Sequence, residues 1–298
     1  MDQMKYYHYT SIKTLFSIIT NGELWLSNLK NSNDPNEFYL TCDEYNAYVN
    51  KLGKDPYNGK PYVLEENGIY GNTFGLSFTL AGDNLSQWER YGDSLRGVSI
   101  CFDIELMQKI LEEKYDFAFD FDAVKYTEEE KIKFIESKID KVNLDNFKGC
   151  PVAKWTMEGI YFIDHYNQAQ TLFKKEPFFV EQEYRIFFDP TYYNFFHEIY
   201  MGYPSPRLTK FKEKAEKRYG HVANTLQILS KDIKFALMRN GINGYIPFKL
   251  SVLGEKKLEI IKEIILGPKC TQDSKELKAF LSHYGYDVEI RKSKISIR

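Results

Sequence analysis

The sequence predicts an α+β protein in which strand-rich N- and C-terminal parts flank a mostly helical insertion at about 104–175. Three patterns carry that expectation. An aromatic segment alternating with period two opens the chain and passes directly into a helical period. The stretch from 104 to 175 then repeats the helical period, and the last part of the chain returns to short β-branched and aromatic runs. The whole chain, 1–298, reads as one domain.

Lys5 to Tyr9 alternates as a strand, with Tyr6, His8 and Thr10 on one face and Tyr7 and Tyr9 on the other. Ser11 to Thr20 has Leu15, Ile18 and Ile19 on one helical face and is stopped by Asn21-Gly22. Glu23 to Leu29 is a second short strand. Asp34 as N-cap, Pro35 at N1 and Glu37 at N3 start a helix that runs to about Val49. Asp55 to Gly71 is loop, and Phe74 to Leu80 is strand. Ser86-Gln87-Trp88-Glu89 has the form of a capping box and opens a short helix ending near Gly92. Val98 to Phe102 reads as a buried strand, with Asp103 capping the helix Ile104 to Glu113. Helices Glu128 to Val142 and Thr156 to Phe173 complete the insertion. Gln182 to Phe188 is a strand stopped by Asp189-Pro190. Strands at Ile233 to Leu237, Tyr245 to Val252 and Ile260 to Leu266, a helix at Ser274 to Tyr284 and a strand at Val288 to Ile297 end the chain.

At 43 % hydrophobic and 28 % charged the composition is that of a globular protein able to build a core. The formal charge of -2 gives no overall attraction to nucleic acid, although Arg207 to Arg218 carries six basic residues against Glu213 and Glu216. Cys42, Cys101, Cys150 and Cys270 are far apart and lack a C-x-x-C pair or a neighbouring histidine, so reduced thiols and no metal site are expected. The N-terminal residues lack the apolar region of a signal peptide, and no apolar run approaches the ~18 residues of a membrane helix, so a cytoplasmic location is expected. P-loop, zincin, α/β-hydrolase and dinucleotide-fold motifs are all missing.

The leading site candidate is Glu181-Gln182-Glu183-Tyr184-Arg185. In a strand, Glu181, Glu183 and Arg185 share a face, which sets the two carboxylates ~6–7 Å apart. Such a pair can stabilise a cationic transition state or divide acid and base roles. The plainer alternative is an edge strand with a solvated Glu-Arg ladder worth at most ~1 kcal/mol. His8 offers an imidazole to a ligand hydroxyl, or a structural hydrogen bond. Ser77 and Thr79 share a strand face with Gly75, where a ligand can approach the backbone. Asp34 and Glu37 are better explained as caps than as metal ligands. Trp88, Arg90 and Tyr91 offer a stacking surface, or anchor the short helix in the core.

Taken together, several segments resemble the bacterial domain-of-unknown-function family numbered 2971. They are Tyr7-His8-Tyr9-Thr10-Ser11, Asn33-Asp34-Pro35 with Glu37-Phe38, Leu85-Ser86-Gln87-Trp88 with Tyr91-Gly92 and Gly97, Glu181 with Glu183-Tyr184-Arg185, Ile265-Leu266-Gly267-Pro268 and Ser293-Lys294-Ile295. The ordered set of a strand His followed by Thr, a Ser-Phe-Thr strand and a late E-x-E is in turn similar to the ADP-ribosyltransferase superfamily. The first-position His is typical of one branch of that superfamily, and Ser-x-Thr with E-x-E of another.

The resemblance implies an ADP-ribosyltransferase-like split β-sheet core, with NAD as substrate. It implies that Glu183 is the catalytic carboxylate on the nicotinamide ribose and that Glu181 orients the acceptor. His8 would hold the adenosine ribose, Ser77 and Thr79 would line the pocket, and Tyr6, Tyr9 or Phe78 would stack on nicotinamide. Thr10, Trp88 and Arg185 complete the expected binding set. The implied activity is transfer of ADP-ribose to a protein or nucleic acid by a toxin or phage-defence effector with a neutralising partner. The alternatives are a non-catalytic nucleotide-binding or sensor module on the same fold, an NAD glycohydrolase, and glycoside or nucleoside hydrolysis by Glu181 and Glu183 without NAD.

Overall fold

The computed structural model describes residues 4–29, 45, 47–48, 51, 73–115, 119–139, 168–188, 233–238 and 241–297. Most of the expected helix from Asp34, of which only 45 and 47–48 are described and are helical, the loop 55–71, the start of the helix 156–173, the basic stretch 207–218, Cys42 and Cys150 lie outside these residues.

The described chain is a mixed α/β protein built on a large open sheet. Strand β1 (Tyr6–Thr10) leads into α1 (Ile12–Asn21), whose N-cap Ser11 accepts the Thr14 N–H and whose end is set by Gly22 at φ 62°. There follow β2 (Glu23–Asn28), β3 (Phe74–Thr79), the short helix α2 (Leu85–Arg90), β4 (Val98–Phe102) and α3 (Ile104–Tyr115). Beyond these lie β5 (Asp120–Ala123), α4 (Glu128–Ile139), a 3-10 turn (Glu176–Glu181) and β6 (Glu183–Phe188). The last part holds β7 (Lys234–Met238), β8 (Gly241–Lys249), a 3-10 segment (Leu250–Leu258), β9 (Ile261–Leu266), α5 (Ser274–His283) and β10 (Glu289–Lys292).

The pairing divides the sheet at β3. Every residue of β3, from Phe74 to Thr79, pairs with β6, which fills one edge of the strand. Strands β1 and β2 therefore share the other edge: β2 at Gly75 and Phe74, β1 only at Thr79 through Tyr7. Between these contacts the two strands part. One arm of the sheet runs β5-β6-β3-β2-β8-β7 and the other β10-β9-β4-β1, and of the strand pairs among the described residues β9 and β10 alone run parallel. Alternation sends Tyr6, Phe78, Ile100 and Ile264 into the main core with α1, α3 and α5, and sends Tyr7, Tyr9, Cys101 and Ile265 to a smaller core around Trp88. Gly97 lets the turn after α2 press against the end of β1, since a Cβ there would collide with the Thr10 carbonyl oxygen.

Several sequence expectations are corrected. A strand, β5, interrupts the helical block; its Asp-Phe-Asp-Ala sequence has little strand preference, and pairing with β6 supplies the stability. Asn84, rather than Ser86, caps α2, because its Oδ1 accepts from the N–H groups of Ser86 and Gln87. The strand expected to reach Val252 stops at Lys249, where the chain turns into a 3-10 segment kinked at Gly254. The last strand ends at Lys292: the Ser293 N–H makes a final bond to the Leu266 carbonyl, and the Ser293 hydroxyl and Lys294 N–H turn to the Asp83 carboxylate.

Candidate functional site

A cavity of about 500 Å³ opens at the fork where β1 and β2 leave β3. Period two turns the peptide groups of Gly75, Ser77 and Thr79 toward this fork, since Leu80 at even register bonds to the Gln182 carbonyl on the β6 side. In the gap His8 does what a ladder partner would do: its Nδ1 lies 3.0 Å from the Ser77 carbonyl oxygen. A carbonyl only accepts, so Nδ1 carries the proton and Nε2 keeps an acceptor lone pair. Burial holds the imidazole below its ordinary pKa, with the Ser77 bond opposing, so the ring is neutral.

The charged wall of the cavity comes from β6 and the turn before it. Ser77 stands opposite Arg185 and Thr79 opposite Glu183, which brings the two sequence motifs together. Arg185 grips both oxygens of Glu183, Nε to Oε1 at 2.7 Å and Nη2 to Oε2 at 3.0 Å, and its Nη1 donates to the Thr171 carbonyl. The Lys174 ammonium joins the two carboxylates, 2.7 Å from Glu183 Oε2 and 2.8 Å from Glu181 Oε2. Arg90 and the Tyr91 hydroxyl each donate to Glu181 Oε1 at 3.1 Å. The Glu183 N–H donates to the Tyr126 hydroxyl oxygen at 2.9 Å. Burial alone would favour the protonated acid at Glu183, but Arg185 and Lys174 hold its carboxyl well below the usual carboxylate range.

The sequence expectations meet this geometry unevenly. His8, Tyr9, Thr10, Ser77, Phe78, Thr79, Glu181, Glu183 and Arg185 all belong to the cavity wall. Glu181 reaches it from the end of the 3-10 turn, however, not from the strand, because Gln182 takes a left-handed conformation at φ 44° and breaks the alternation. The Glu-Arg pair is not a solvated ladder, since Glu181, Glu183 and Arg185 are all buried. Trp88 is not a ligand surface: it is fully buried, stands edge-on to Tyr9 at 4.7 Å, and donates Nε1 to Asp83. Tyr6 packs in the main core with its ring tilted against that of Tyr184. The Phe78 ring is buried edge-on to Phe102, and the Tyr9 hydroxyl is taken by the Ala81 carbonyl and the Asn84 N–H. The Thr79 hydroxyl oxygen accepts the Ala81 N–H. The space beside Gly75 belongs to Leu29 and the Ile186 carbonyl rather than to a ligand.

Lys174 and Tyr126 had no signal in the sequence. Lys174 is placed by the bridge between Lys125 and Phe173 and by the following 3-10 turn, which returns the chain to Glu181. Arg90 and Tyr91 were visible as a polar-aromatic pair, and their carboxylate partner was not. Among the described residues no group of three or more His, Cys, Asp or Glu could hold a metal ion, and no helix is long and apolar enough to cross a membrane.

The fold and site define a mixed α/β protein with a cleft at the fork of its sheet that sets charged and uncharged polar groups among apolar ones. Residues 87–186, from Gln87 on α2 to Ile186 on β6, match the model of a family described as Protein of unknown function (DUF2971), which supports an assignment to domain-of-unknown-function family 2971. No curated protein and no solved structure matches the chain.

Proposed function

We propose that the cleft binds NAD as a substrate and that the protein transfers its ADP-ribose to a macromolecular acceptor, a protein or a nucleic acid. The observation that carries this reading is the convergence of His8, Ser77, Thr79, Glu181 and Glu183, from three distant parts of the chain, on one cleft at the fork of a divided sheet. The order of those residues along the chain is the ADP-ribosyltransferase-like order, and a sheet divided beside the cleft is the geometry that the resemblance implies.

In the proposed reaction the bond from the nicotinamide nitrogen to ribose C1′ breaks, its electron pair leaving with nicotinamide. A lone pair on the acceptor then bonds to C1′, and the acceptor loses a proton. The sugar is cationic in between, so a fixed carboxylate is favoured more in the transition state than in the ground state. Glu183, kept ionised by Arg185 and Lys174, suits that electrostatic role and not that of an acid. Glu181, tied to the same ammonium, would orient the acceptor.

One observation favours a second reading. Three donor contacts from Arg185 and Lys174 already occupy the Glu183 oxygens, which offer about four acceptor positions. A carboxylate so engaged also suits a nucleotide-binding module that leaves its ligand intact. The two readings separate in one experiment: nicotinamide release from NAD by wild type and Glu183→Gln, with and without cell lysate, beside a binding titration with NAD and circular dichroism of both proteins. Release by wild type that disappears in a folded variant supports catalysis, and stimulation by lysate supports transfer over hydrolysis. Binding without release supports the module, and unchanged release by Glu183→Gln rejects the mechanism.

A further inference from the structure

Gln87 sits on α2, whose backbone groups account for every hydrogen bond the residue makes: its N–H donates to Asn84, and its carbonyl accepts from Tyr91 and Gly92. Its side-chain amide has no partner among the described residues, although Gln87 is only 4 % exposed and belongs to the cavity wall. The amide is reached from the cavity, so its hydrogen bonds are left to whatever occupies that space. Three further polar groups on the same wall, two of them on the half-buried residues His8 and Ser77, also have no side-chain partner among the described residues. They are the hydroxyl of Thr10, itself 8 % exposed, the hydroxyl of Ser77, and Nε2 of His8. The cavity thus has two chemically distinct regions. The carboxylates and cations around Glu183 satisfy one another, and Gln87, Thr10, Ser77 and His8 direct uncharged donors and acceptors at the space between.

We infer that Gln87 is a ligand-binding residue that selects for a flat edge carrying a hydrogen-bond donor beside an acceptor. A glutamine amide presents an N–H and a carbonyl side by side, and it pairs in two-pronged fashion with an edge of the opposite order, as it does with N6 and N7 of adenine. The carboxamide of nicotinamide presents the same chemistry. The identification of the ligand as a dinucleotide rests on the function proposed above; the demand for a donor-acceptor edge rests on Gln87 itself. A site built on buried groups that need partners rejects analogues lacking them more strongly than an apolar pocket rejects a missing methylene.

The test is calorimetric titration of wild type and Gln87→Leu with three probes: NAD, its analogue with hypoxanthine in place of adenine, and its analogue with a carboxylate in place of the carboxamide. Gln87→Leu should bind NAD about ten-fold or more weakly, as expected for two lost neutral hydrogen bonds. One analogue should bind wild type weakly and lose nothing further in the variant, because the partner it has lost is the one the variant has lost. The hypoxanthine analogue behaving so assigns Gln87 to adenine, and the carboxylate analogue behaving so assigns it to the nicotinamide amide. Unchanged NAD affinity in Gln87→Leu, or losses that add for both analogues, overturns the inference and leaves the NAD reading standing. If wild type ignores NAD but binds adenosine or nicotinamide in a Gln87-dependent way, the inference stands and the NAD reading falls. No binding of any of these probes overturns both. Should Gln87→Leu fail to fold, wild type alone decides, since equal affinity for NAD and both analogues contradicts a read edge and a ten-fold preference supports one.

Discussion

The His8 imidazole donates its Nδ1 proton to the Ser77 carbonyl across 3.0 Å, in the gap where β1 has left β3. One side chain thereby closes a backbone position that the divided sheet leaves without a ladder partner, and turns its second nitrogen toward the cleft. The ring thus has a structural bond on one nitrogen and, in the proposed function, a ligand contact on the other, and substitutions can separate the two.

His8→Ala leaves the Ser77 carbonyl without its partner and should cost about 1–3 kcal/mol in urea unfolding near pH 7.5. His8→Asn, whose side-chain amide can stand in for Nδ1, should restore most of that stability while still binding NAD more weakly, because nothing replaces Nε2. Equal ligand affinity of wild type and His8→Asn would remove His8 from the binding site.

The same histidine makes a pH prediction. Its folded pKa lies below the ordinary 6.5, so between the two values the unfolded chain binds more protons than the folded one, and stability falls as pH drops below about 6.5. The slope from one such group is at most about 1.4 kcal/mol per pH unit. Denaturant midpoints from pH 7.5 to 5 should show the decline in wild type and a flatter profile in His8→Asn.

Glu183 extends this dependence to stronger acid. Its folded pKa is depressed below the ordinary 4.5, so the stability it contributes is complete above that value and is lost as pH falls further. Glu183→Gln abolishes the dependence and leaves the buried Arg185 and the partly exposed Lys174 facing an uncharged amide, at a cost of about 3–5 kcal/mol. A variant as stable as wild type at pH 7 would show that the pair contributes little to the fold. Because the loss can be large, nicotinamide release by Glu183→Gln is meaningful only beside its circular dichroism spectrum.

Asp83 ties the chain terminus to the site. It accepts from the Trp88 indole at 2.8 Å, the Ser293 hydroxyl at 2.6 Å and the Lys294 N–H at 2.8 Å, and α2, which carries Trp88, also carries Gln87 and Arg90. Asp83→Ala should lower stability by about 1–3 kcal/mol for the stranded indole N–H and increase the quenching of Trp88 fluorescence by acrylamide. Unaltered quenching would mean that α2 is held by other contacts.

How much of this protein was written in the chain can be judged element by element. The aromatic strand at its start, the Ser11-capped helix, the buried strands at 98 and 261 and the helix from Ser274 follow from local periodicity and end signals, which act over one or two turns and need no partner. The sequence alone also nominated His8, Ser77, Thr79 and Glu183, because their residue types carry chemistry whatever surrounds them. Long-range pairing decided the rest. β6 fills one edge of β3 and forces β1 and β2 to share the other, which opens the cleft; no local signal reports which strands will compete for an edge. Gln182 takes a left-handed turn, so Glu181 arrives by way of Lys174, a residue whose role depends on a bridge between Lys125 and Phe173. Gln87 and Trp88 are neighbours in sequence with opposite fates, the indole satisfied by Asp83 and the amide left facing the cleft, because hydrogen-bond satisfaction belongs to the tertiary surroundings and not to the residue.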